Sequence, residues 1–264
     1  FSETPEFLKF FQKEKLTPYW WEEKLWRWYD ADDSAINLFH APTVAYSGEK
    51  DIQKQAADVM ESALAKEGIA MTHIIGPDSG HRIHADSQKV IERKMASLAI
   101  TGNENIPTTI HKVTYSLKYN RQYWITIDAV TEHWEAARVD AKILGPSSFE
   151  ITATGMTGLS FSMDAGFCPF DITRPVQLKI NGKKLKLPGP KSDRSWEASV
   201  HLAESTWVVG KPTVAGLVKK HGLQGPIDDA FMDSFLMVTP TAAAMTRPIG
   251  DWVAREQQHA LDHW

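Results

Sequence analysis

The alternation of apolar runs and helical stretches between residues 42 and 98 restricts the fold more than any other feature. "PTVAYS", from Pro42, is a short apolar run followed by the turn "GEKD", and "IAMTHIIG", from Ile69, is a second such run. A stretch with apolar residues at helical spacing follows each run, ending on Gly68 in the first case and extending from about Asp86 to Leu98 in the second. This order predicts parallel strands joined by a right-handed crossover.

Two ionisable residues follow the two predicted strands. Asp51 lies in the turn after the first strand, and His81 follows Gly80 in the turn after the second. Because the carboxyl ends of parallel strands open on one edge of a sheet, we expect these two side chains to lie close together. A carboxylate that holds one imidazole nitrogen leaves the other free to take a proton from a nucleophile. Asp51 and His81 are therefore the candidate catalytic residues.

Other roles for this segment are open. Asp51 is also well placed to cap the helix that follows it, and His84 is a rival base. "HRIHAD" offers His81, His84 and Asp86 as ligands for zinc or manganese. No second dense group of such residues accompanies it, and its spacing differs from the helical H-E-x-x-H pattern. The acid–base interpretation is favoured, and neither a metal site nor a cofactor is predicted.

The sequence lacks a recognisable nucleophile motif. An α/β-hydrolase carries its serine in G-x-S-x-G, where small residues permit the strained turn that exposes the hydroxyl. That pattern occurs nowhere in the 264 residues. Thr157 and Ser160 in "GMTGLSFS" follow His81 instead of preceding it, and they lie in an alternating stretch. The chain thus supplies an acid and a histidine in α/β-hydrolase order, without the serine.

Three segments carry a family resemblance: "LWRWYDADDSAINLFHAPTV", "PTVAYSGEKDIQKQAADVMESALAKEG" and "MTHIIGPDSGHRIHADSQKVIERK". They resemble the C-terminal part of the catalytic domain of bacterial prolyl oligopeptidase family serine peptidases, over residues 1 to about 100. In that family the acid lies in a G-x-x-D turn, here Gly48 to Asp51, and the histidine follows a glycine, here Gly80. "YNRQYWITID" and "GPIDDAFMDSFL" resemble an extra C-terminal region of some members.

The resemblance implies an α/β-hydrolase fold and hydrolysis of a peptide or ester substrate. It also implies that the serine and the oxyanion hole lie upstream of Phe1, in the same polypeptide, so that this chain alone would be inactive. A periplasmic or secreted location is favoured for the same reason. The alternative is a non-catalytic binding or structural module, in which the turn residues are only caps.

The predicted organisation is α/β followed by all-β. Residues 1–104 are expected to form the C-terminal part of the α/β-hydrolase domain, and residues 105–210 an antiparallel, β-sandwich-like accessory domain. Residues 211–264 are expected to be a connector followed by a strand in "DSFLMVTPT" and a helix with an apolar stripe ending at Trp264, the start of a truncated further domain. Asn181 and Gly182 predict a two-residue hairpin within the second domain.

Aromatic residues allow two interpretations. The tryptophans of the first 28 residues suggest either a carbohydrate platform or a helix packed on a core, and their helical spacing favours packing: Trp20, Trp21, Trp26 and Trp28. Tyr123 and Trp124 are candidate exposed aromatics for ligand binding, although a structural accessory role is favoured. We also expect an isolated chain to expose an apolar patch, because two parallel strands leave a sheet edge uncovered.

Composition excludes several partner classes. The formal net charge is −4 and no basic block is present, so nucleic acid is not an expected partner. No run of about 18 apolar residues occurs, so no membrane span is expected. The single cysteine, Cys168, excludes an intramolecular disulfide and is expected to be a small buried apolar residue.

Overall fold

The computed structural model describes residues 3–213, 216–232 and 234–263. At the level of secondary structure, an α/β segment is followed by a strand-rich segment, as the sequence predicts. The chain forms two compact units, residues 1–224 and residues 225–264, whereas the predicted boundaries lie after residues 104 and 210. No helix of the described residues is long and apolar enough to cross a membrane.

Short helices make up the first forty residues. Helix α1 (Thr4–Phe7) has Pro5 in its first turn and continues as a π-helical turn over Leu8–Gln12. Helix α2 (Trp20–Trp26) has Tyr19 as its N-cap residue, whose backbone N–H donates to the Glu22 carboxylate at 2.7 Å. A 3₁₀ helix, Asp32–His40, leads into the first strand.

The expectation that the early tryptophans pack on a core is wrong. Trp20 is 71% exposed, Trp21 46% and Trp28 39%, and no residue of α2 is buried in the described chain. Polar contacts hold the helix instead, since Lys24 and Arg27 both pair with Glu135, at 3.1 and 2.8 Å. The helical spacing correctly predicted a helix. The side of α2 that contacts the rest of the protein, however, carries charged residues and not the tryptophans.

The predicted parallel unit is present. Strand β1 (Val44–Gly48) pairs in parallel with β2 (Thr72–Gly76), and helices α3 (Lys54–Lys66) and α4 (Ala85–Thr101) follow the two strands. We call β1 to α4 the α/β unit. Its sheet has two strands in the described chain. Strand β1 is half-buried over its first three residues, so it is less covered than its apolar sequence suggests.

Ten further strands, which we call the β region, form two five-stranded sheets. One sheet has the order β10-β9-β7-β6-β3 and the other β12-β11-β8-β5-β4. The strands are β3 (Thr109–Thr114), β4 (Arg121–Gln122), β5 (Ile125–Val130), β6 (Ala137–Gly145), β7 (Ser148–Thr154), β8 (Met156–Met163), β9 (Val176–Ile180), β10 (Lys183–Leu187), β11 (Trp196–Ala203) and β12 (Thr206–Val209). Strands β7 and β9 pair in parallel, so the expectation of a fully antiparallel arrangement is wrong at that pair.

One apolar core joins the two sheets. Phe149 of β7 contacts Phe161 of β8 edge to face, with ring centroids 5.2 Å apart, and both rings are buried. Trp124 is also in this core at 1% exposure, and its Nε1–H donates to the Pro107 carbonyl. Trp124 is therefore not an exposed ligand-binding aromatic, as had been considered. Cys168 is buried, as expected, and burial raises the pKa of its thiol.

The Asn181–Gly182 hairpin is confirmed between β9 and β10. Both residues have positive φ, 46° and 85°, the conformation that a two-residue turn of this kind requires. The Asn181 side chain also pairs with the backbone of Ala153, accepting from its N–H at 2.9 Å and donating to its carbonyl at 2.8 Å. Asparagine thus shapes the turn and ties it to β7.

Polar contacts join the α/β unit to the β region. Arg138 on β6 donates to both carboxylate oxygens of Glu67, just after α3, at 2.8 and 2.9 Å. Arg138 also pairs with Asp140, which in turn contacts His111 at 2.5 Å. Burial acts to raise the pKa of Asp140, but hydrogen bonds from Arg138 and His111 outweigh it and lower that pKa. From the 3₁₀ helix that precedes β1, Asn37 makes two further hydrogen bonds to the backbone of Val113.

The second compact unit contains a 3₁₀ turn, Ile227–Phe231, and helix α5 (Arg247–His263). The strand predicted in "DSFLMVTPT" is wrong for residues 234–241, which have no strand structure; Asp233 lies outside the described residues, as does Trp264. An apolar run forms a strand only where a neighbouring strand can pair with it, because its backbone N–H and C=O groups need hydrogen-bond partners. The final helix is confirmed, with Trp252 56% exposed on it.

Removal of the Glu67 charge should loosen the junction between the α/β unit and the β region. Glu67→Gln is expected to lower the free energy of unfolding by about 1 kcal/mol, because its paired partner is partly shielded from solvent and held by two bonds. In an Arg138→Gln background the same change should cost much less. Urea denaturation of the four proteins measures this coupling. Glu150→Gln, in an exposed pair with Lys179, is the matched control and should cost at most about 0.5 kcal/mol.

Candidate active site

The two loops at the carboxyl ends of β1 and β2 carry the candidate residues. We call residues 49–53 the acid loop and residues 77–84 the histidine loop. Gly48 and Gly76, the last residues of the two strands, are opposite each other in the parallel register. Both loops therefore leave the sheet at the same edge, as the sequence predicts.

Hydrogen bonds fasten the two loops to each other. The backbone N–H of Glu49 donates to the Gly76 carbonyl at 2.9 Å, and that of Lys50 donates to the Ser79 carbonyl at 2.8 Å. The Glu49 carboxylate accepts from the backbone N–H of Asp78 at 2.8 Å. These bonds fix the position of one loop relative to the other.

Gly48 permits this close approach. A Cβ atom at Gly48 would lie 2.2 Å from the Gly80 carbonyl oxygen and 2.4 Å from that of Ser79. Real Cβ atoms do not approach backbone oxygens so closely, so the loops would have to separate. The G-x-x-D pattern of the sequence thus has a steric cause at its glycine.

Asp51 and His81 form a hydrogen-bonded pair. The Nδ1 atom of His81 lies 2.9 Å from Oδ2 of Asp51, within the range for an acid that orients a histidine. The Asp51 side chain is 12% exposed and the His81 side chain 74% exposed. The other ring nitrogen, Nε2, makes no hydrogen bond within the described residues, so it is accessible to a group outside them.

The second carboxylate oxygen of Asp51 accepts a hydrogen bond from the backbone. Oδ1 accepts from the backbone N–H of Gln53 at 2.9 Å, at the start of α3. This bond and the one from His81 lower the pKa of Asp51, and the Gln53 bond has the larger effect. The carboxylate therefore stabilises the turn before α3 and holds the histidine at the same time; it does not cap the helix, whose N-cap residue is Gln53.

Tyr46 of β1 supports the histidine loop through hydrogen bonds. Its hydroxyl donates to the Arg82 carbonyl and accepts from the backbone N–H of His84, both at 2.9 Å. A Cβ at Gly76 would lie 2.0 Å from this hydroxyl, so glycine makes room for it. The sequence analysis missed Tyr46, because nothing in an apolar strand marks a tyrosine as a loop support.

His84 and Asp86 are not brought to the same point as His81. The ring of His84 caps α4 by accepting from the backbone N–H of Asp86 at 3.3 Å. Within the described chain, the trio of His, Asp and Glu side chains whose candidate ligand atoms lie within 4.8 Å of one another is Asp58, Glu61 and His73. A cation there would compete with Lys54, which already pairs with Asp58.

His73 also contacts a serine that the sequence analysis missed. Its Nε2 lies 2.9 Å from the Ser47 hydroxyl, and its Nδ1 lies 3.3 Å from the Glu61 carboxylate. Ser47 is 5% exposed and the His73 side chain 6%, so a substrate cannot reach this hydroxyl. Serine, histidine and acid are in contact here, but burial makes the arrangement a structural network.

The other hydroxyls considered lie in the β region. Thr157 and Ser160 are both on β8, and the Ser160 hydroxyl donates to the Asp128 carboxylate at 2.5 Å. In the described residues, no histidine is hydrogen-bonded to either of these two side chains. The structure therefore does not bring Ser160 to the Asp51–His81 pair.

No family model, curated protein or solved structure matches this chain. The geometry of the two loops, together with the sequence motifs, therefore carries the functional argument.

Gly48→Ala should separate the two loops. We expect it to lower the free energy of unfolding by about 2 kcal/mol, since the added methyl group meets backbone atoms that cannot rotate away. Thermal and urea denaturation measure the change. Gly80→Ala is the matched control: nothing lies within 4 Å of its added Cβ, and its cost should stay within about 0.5 kcal/mol. Equal costs for the two changes would contradict the steric account.

Asp51 should titrate below the usual aspartate range. Its folded-state pKa is below the unfolded value of about 3.9, so its contribution to stability is complete above that value and is lost as the pH falls through the folded pKa. Carboxyl ¹³C NMR during acid titration measures the pKa directly. In His81→Gln the pKa should rise only part of the way to normal, because the stronger bond from Gln53 remains. A full return would assign the whole effect to His81.

Proposed function

We propose that this chain supplies the acid and the histidine of a serine hydrolase, in the form of a peptidase of the prolyl oligopeptidase family. The Asp51–His81 hydrogen bond of 2.9 Å, with the far side of the imidazole exposed, is the observation that carries the proposal. A histidine held on one side and open on the other is what general base catalysis needs.

The proposed chemistry is acyl transfer to water. Asp51 keeps the proton of His81 on Nδ1, so the lone pair of Nε2 faces the open side. Nε2 takes the serine proton as the serine oxygen bonds to the substrate carbonyl carbon, and it then gives that proton to the leaving amine or alkoxide. Water repeats the sequence on the acyl-enzyme, which releases the carboxylic acid and regenerates the serine.

The proposal places the nucleophile and the oxyanion hole upstream of Phe1, in the same polypeptide. The two-stranded sheet supports this, since β1 and β2 each leave one edge unpaired within the described residues. A larger parallel sheet would pair such an edge. The exposed aromatics of the N-terminal segment, with Tyr19 at 68% and Trp20 at 71%, are an apolar surface of the kind that another part of a domain covers.

We assign an accessory, structural role to the β region. It has its own apolar core and is tied to the α/β unit through Arg138 and Glu67. The burial of Trp124 removes one of the two aromatics that had suggested ligand binding there. The proposed substrate, a peptide or an ester, would meet the Asp51–His81 edge of the α/β unit.

A non-catalytic binding or structural module is the second candidate. The bond from Gln53 to Asp51 favours it, because an aspartate that stabilises its own turn explains the residue without any reaction. In that case His81 is a polar loop residue that happens to satisfy the second carboxylate oxygen. Loss of His81 would then leave every activity of the protein unchanged.

A fluorophosphonate probe, which labels activated serines, separates the two. The experiment uses the longer polypeptide that includes the residues encoded upstream of Phe1. We expect the probe to label one serine in that upstream part. His81→Gln should reduce the labelling rate at least about 100-fold, because it removes the general base. Asp51→Asn should also reduce it strongly, since the histidine loses its orienting partner.

His84→Gln is the control, because this residue lies three positions from His81 and caps α4. It should leave the labelling rate within about threefold of the unchanged protein. Labelling that does not depend on His81, or an upstream sequence without a reactive serine, would favour the binding module. The 264-residue chain alone is expected to remain unlabelled.

A further inference from the structure

A buried lysine in the β region has no counter-charge among the described residues. Lys112 on β3 is 8% exposed, and its ammonium group makes no hydrogen bond or ion pair with the described residues. Burial lowers its pKa. An ammonium group that has lost part of its hydration is costly unless an opposite charge or several acceptors compensate for it. This position therefore suits an anion that is not part of the chain.

Lys112 borders a cavity of about 920 Å³ whose wall is strongly basic. The wall is formed by β3, the turn and strands that follow it, and the segment after β12. Its basic residues are Lys112, Lys118, Arg121, Lys211, Lys220 and His221. This concentration of positive charge contrasts with the formal net charge of −4 of the whole chain.

One acidic side chain, Asp128, lies in this wall. Burial raises its pKa, although the hydrogen bond from Ser160 and the charge of Lys211 act in the opposite direction. The amines of Lys211 and Lys220 make no hydrogen bond or ion pair elsewhere in the described part of the chain. Together with Lys112 they present three amines, so the single carboxylate leaves the cavity with an excess of positive charge.

A second, smaller cavity also touches Lys112, and Asp30 lies in its wall. The Asp30 carboxylate accepts hydrogen bonds from the backbone and the hydroxyl of Thr4. It forms no ion pair with Lys112 within the described residues. The nearby acid is thus engaged elsewhere and does not neutralise the lysine.

We infer that the larger cavity binds a doubly charged oxyanion, the phosphate group of a larger organic phosphate monoester, with Lys112 among its ligands. Three amines around one site match a dianion with several acceptor oxygens better than a single carboxylate. The cavity is much larger than a free phosphate ion, and Tyr119 in its wall, which is 63% exposed, offers an aromatic ring for the rest of the molecule.

This site is separate from the proposed hydrolase chemistry. It belongs to the β region, whereas Asp51 and His81 lie on the loops of the α/β unit. The inference does not rest on the proposed function, and either can fail without the other. It gives the β region a ligand, where its apolar core alone indicates only a structural role.

Isothermal titration calorimetry at constant ionic strength tests the site in the 264-residue chain. The probes are phenyl phosphate, inorganic phosphate and two singly charged controls, phenyl sulfate and benzoate. We expect phenyl phosphate to bind at least tenfold more tightly than either singly charged control, and inorganic phosphate to bind more weakly than phenyl phosphate. Binding of phenyl sulfate as tight as that of phenyl phosphate would show that the double charge is not recognised and would contradict the inference.

Lys112→Met is the deciding variant, because it keeps the buried stem and removes the charge. It should weaken phenyl phosphate binding at least tenfold and raise the melting temperature of the ligand-free protein. Lys211→Gln should weaken binding about threefold or more. Lys184→Gln, an equal loss of charge at an exposed position on β10, is the control and should leave affinity within twofold.

Absence of binding by all four probes would overturn the inference. So would unchanged affinity in a folded Lys112→Met protein, because the lysine would then have no part in anion binding. Equal losses of phenyl phosphate affinity in Lys112→Met and Lys184→Gln would show that only the overall charge of the protein matters. That result would also refute a specific binding site.

Discussion

The contact between the two loops at the end of the parallel strands is the constraint on which the candidate site depends. Gly48 allows the backbone of the acid loop to touch Ser79 and Gly80, and bonds between the loops hold them there. Asp51 then stands next to His81 although thirty positions separate them. Backbone bonds make most of this contact, and the side chains of Glu49 and Tyr46 add to it.

Ion pairs attach neighbouring elements to the β region. Arg138 links β6 to Glu67 at the end of α3, and Lys24 and Arg27 tie α2 to Glu135, between β5 and β6. The large apolar core lies within the β region, between its two sheets. The α/β unit therefore has little core of its own, which agrees with the proposal that it completes a larger sheet. Its exposed aromatics are explained in the same way.

Sequence reasoning worked where a local pattern implies a local structure. The strands, the two helices of the α/β unit and the Asn181–Gly182 turn follow from apolar spacing and from residues that accept positive φ. It failed for Trp20, which was expected to be buried and is exposed, and for Trp124, which was considered an exposed residue and is buried. Periodicity shows that a helix has two faces, but it does not say which neighbour each face meets.

The sequence by itself determined the order of elements and the two residues that end up paired, because parallel strands bring their carboxyl ends to one edge. Only the tertiary structure decided that Ser47 is sealed beneath His73, that Tyr46 supports the histidine loop, and that His84 caps a helix. It also decided that Lys112 is buried without a hydrogen-bond or ion-pair partner in the described part of the chain. These facts depend on contacts between segments far apart in the chain, and burial is a property of the assembled neighbours and not of any one segment.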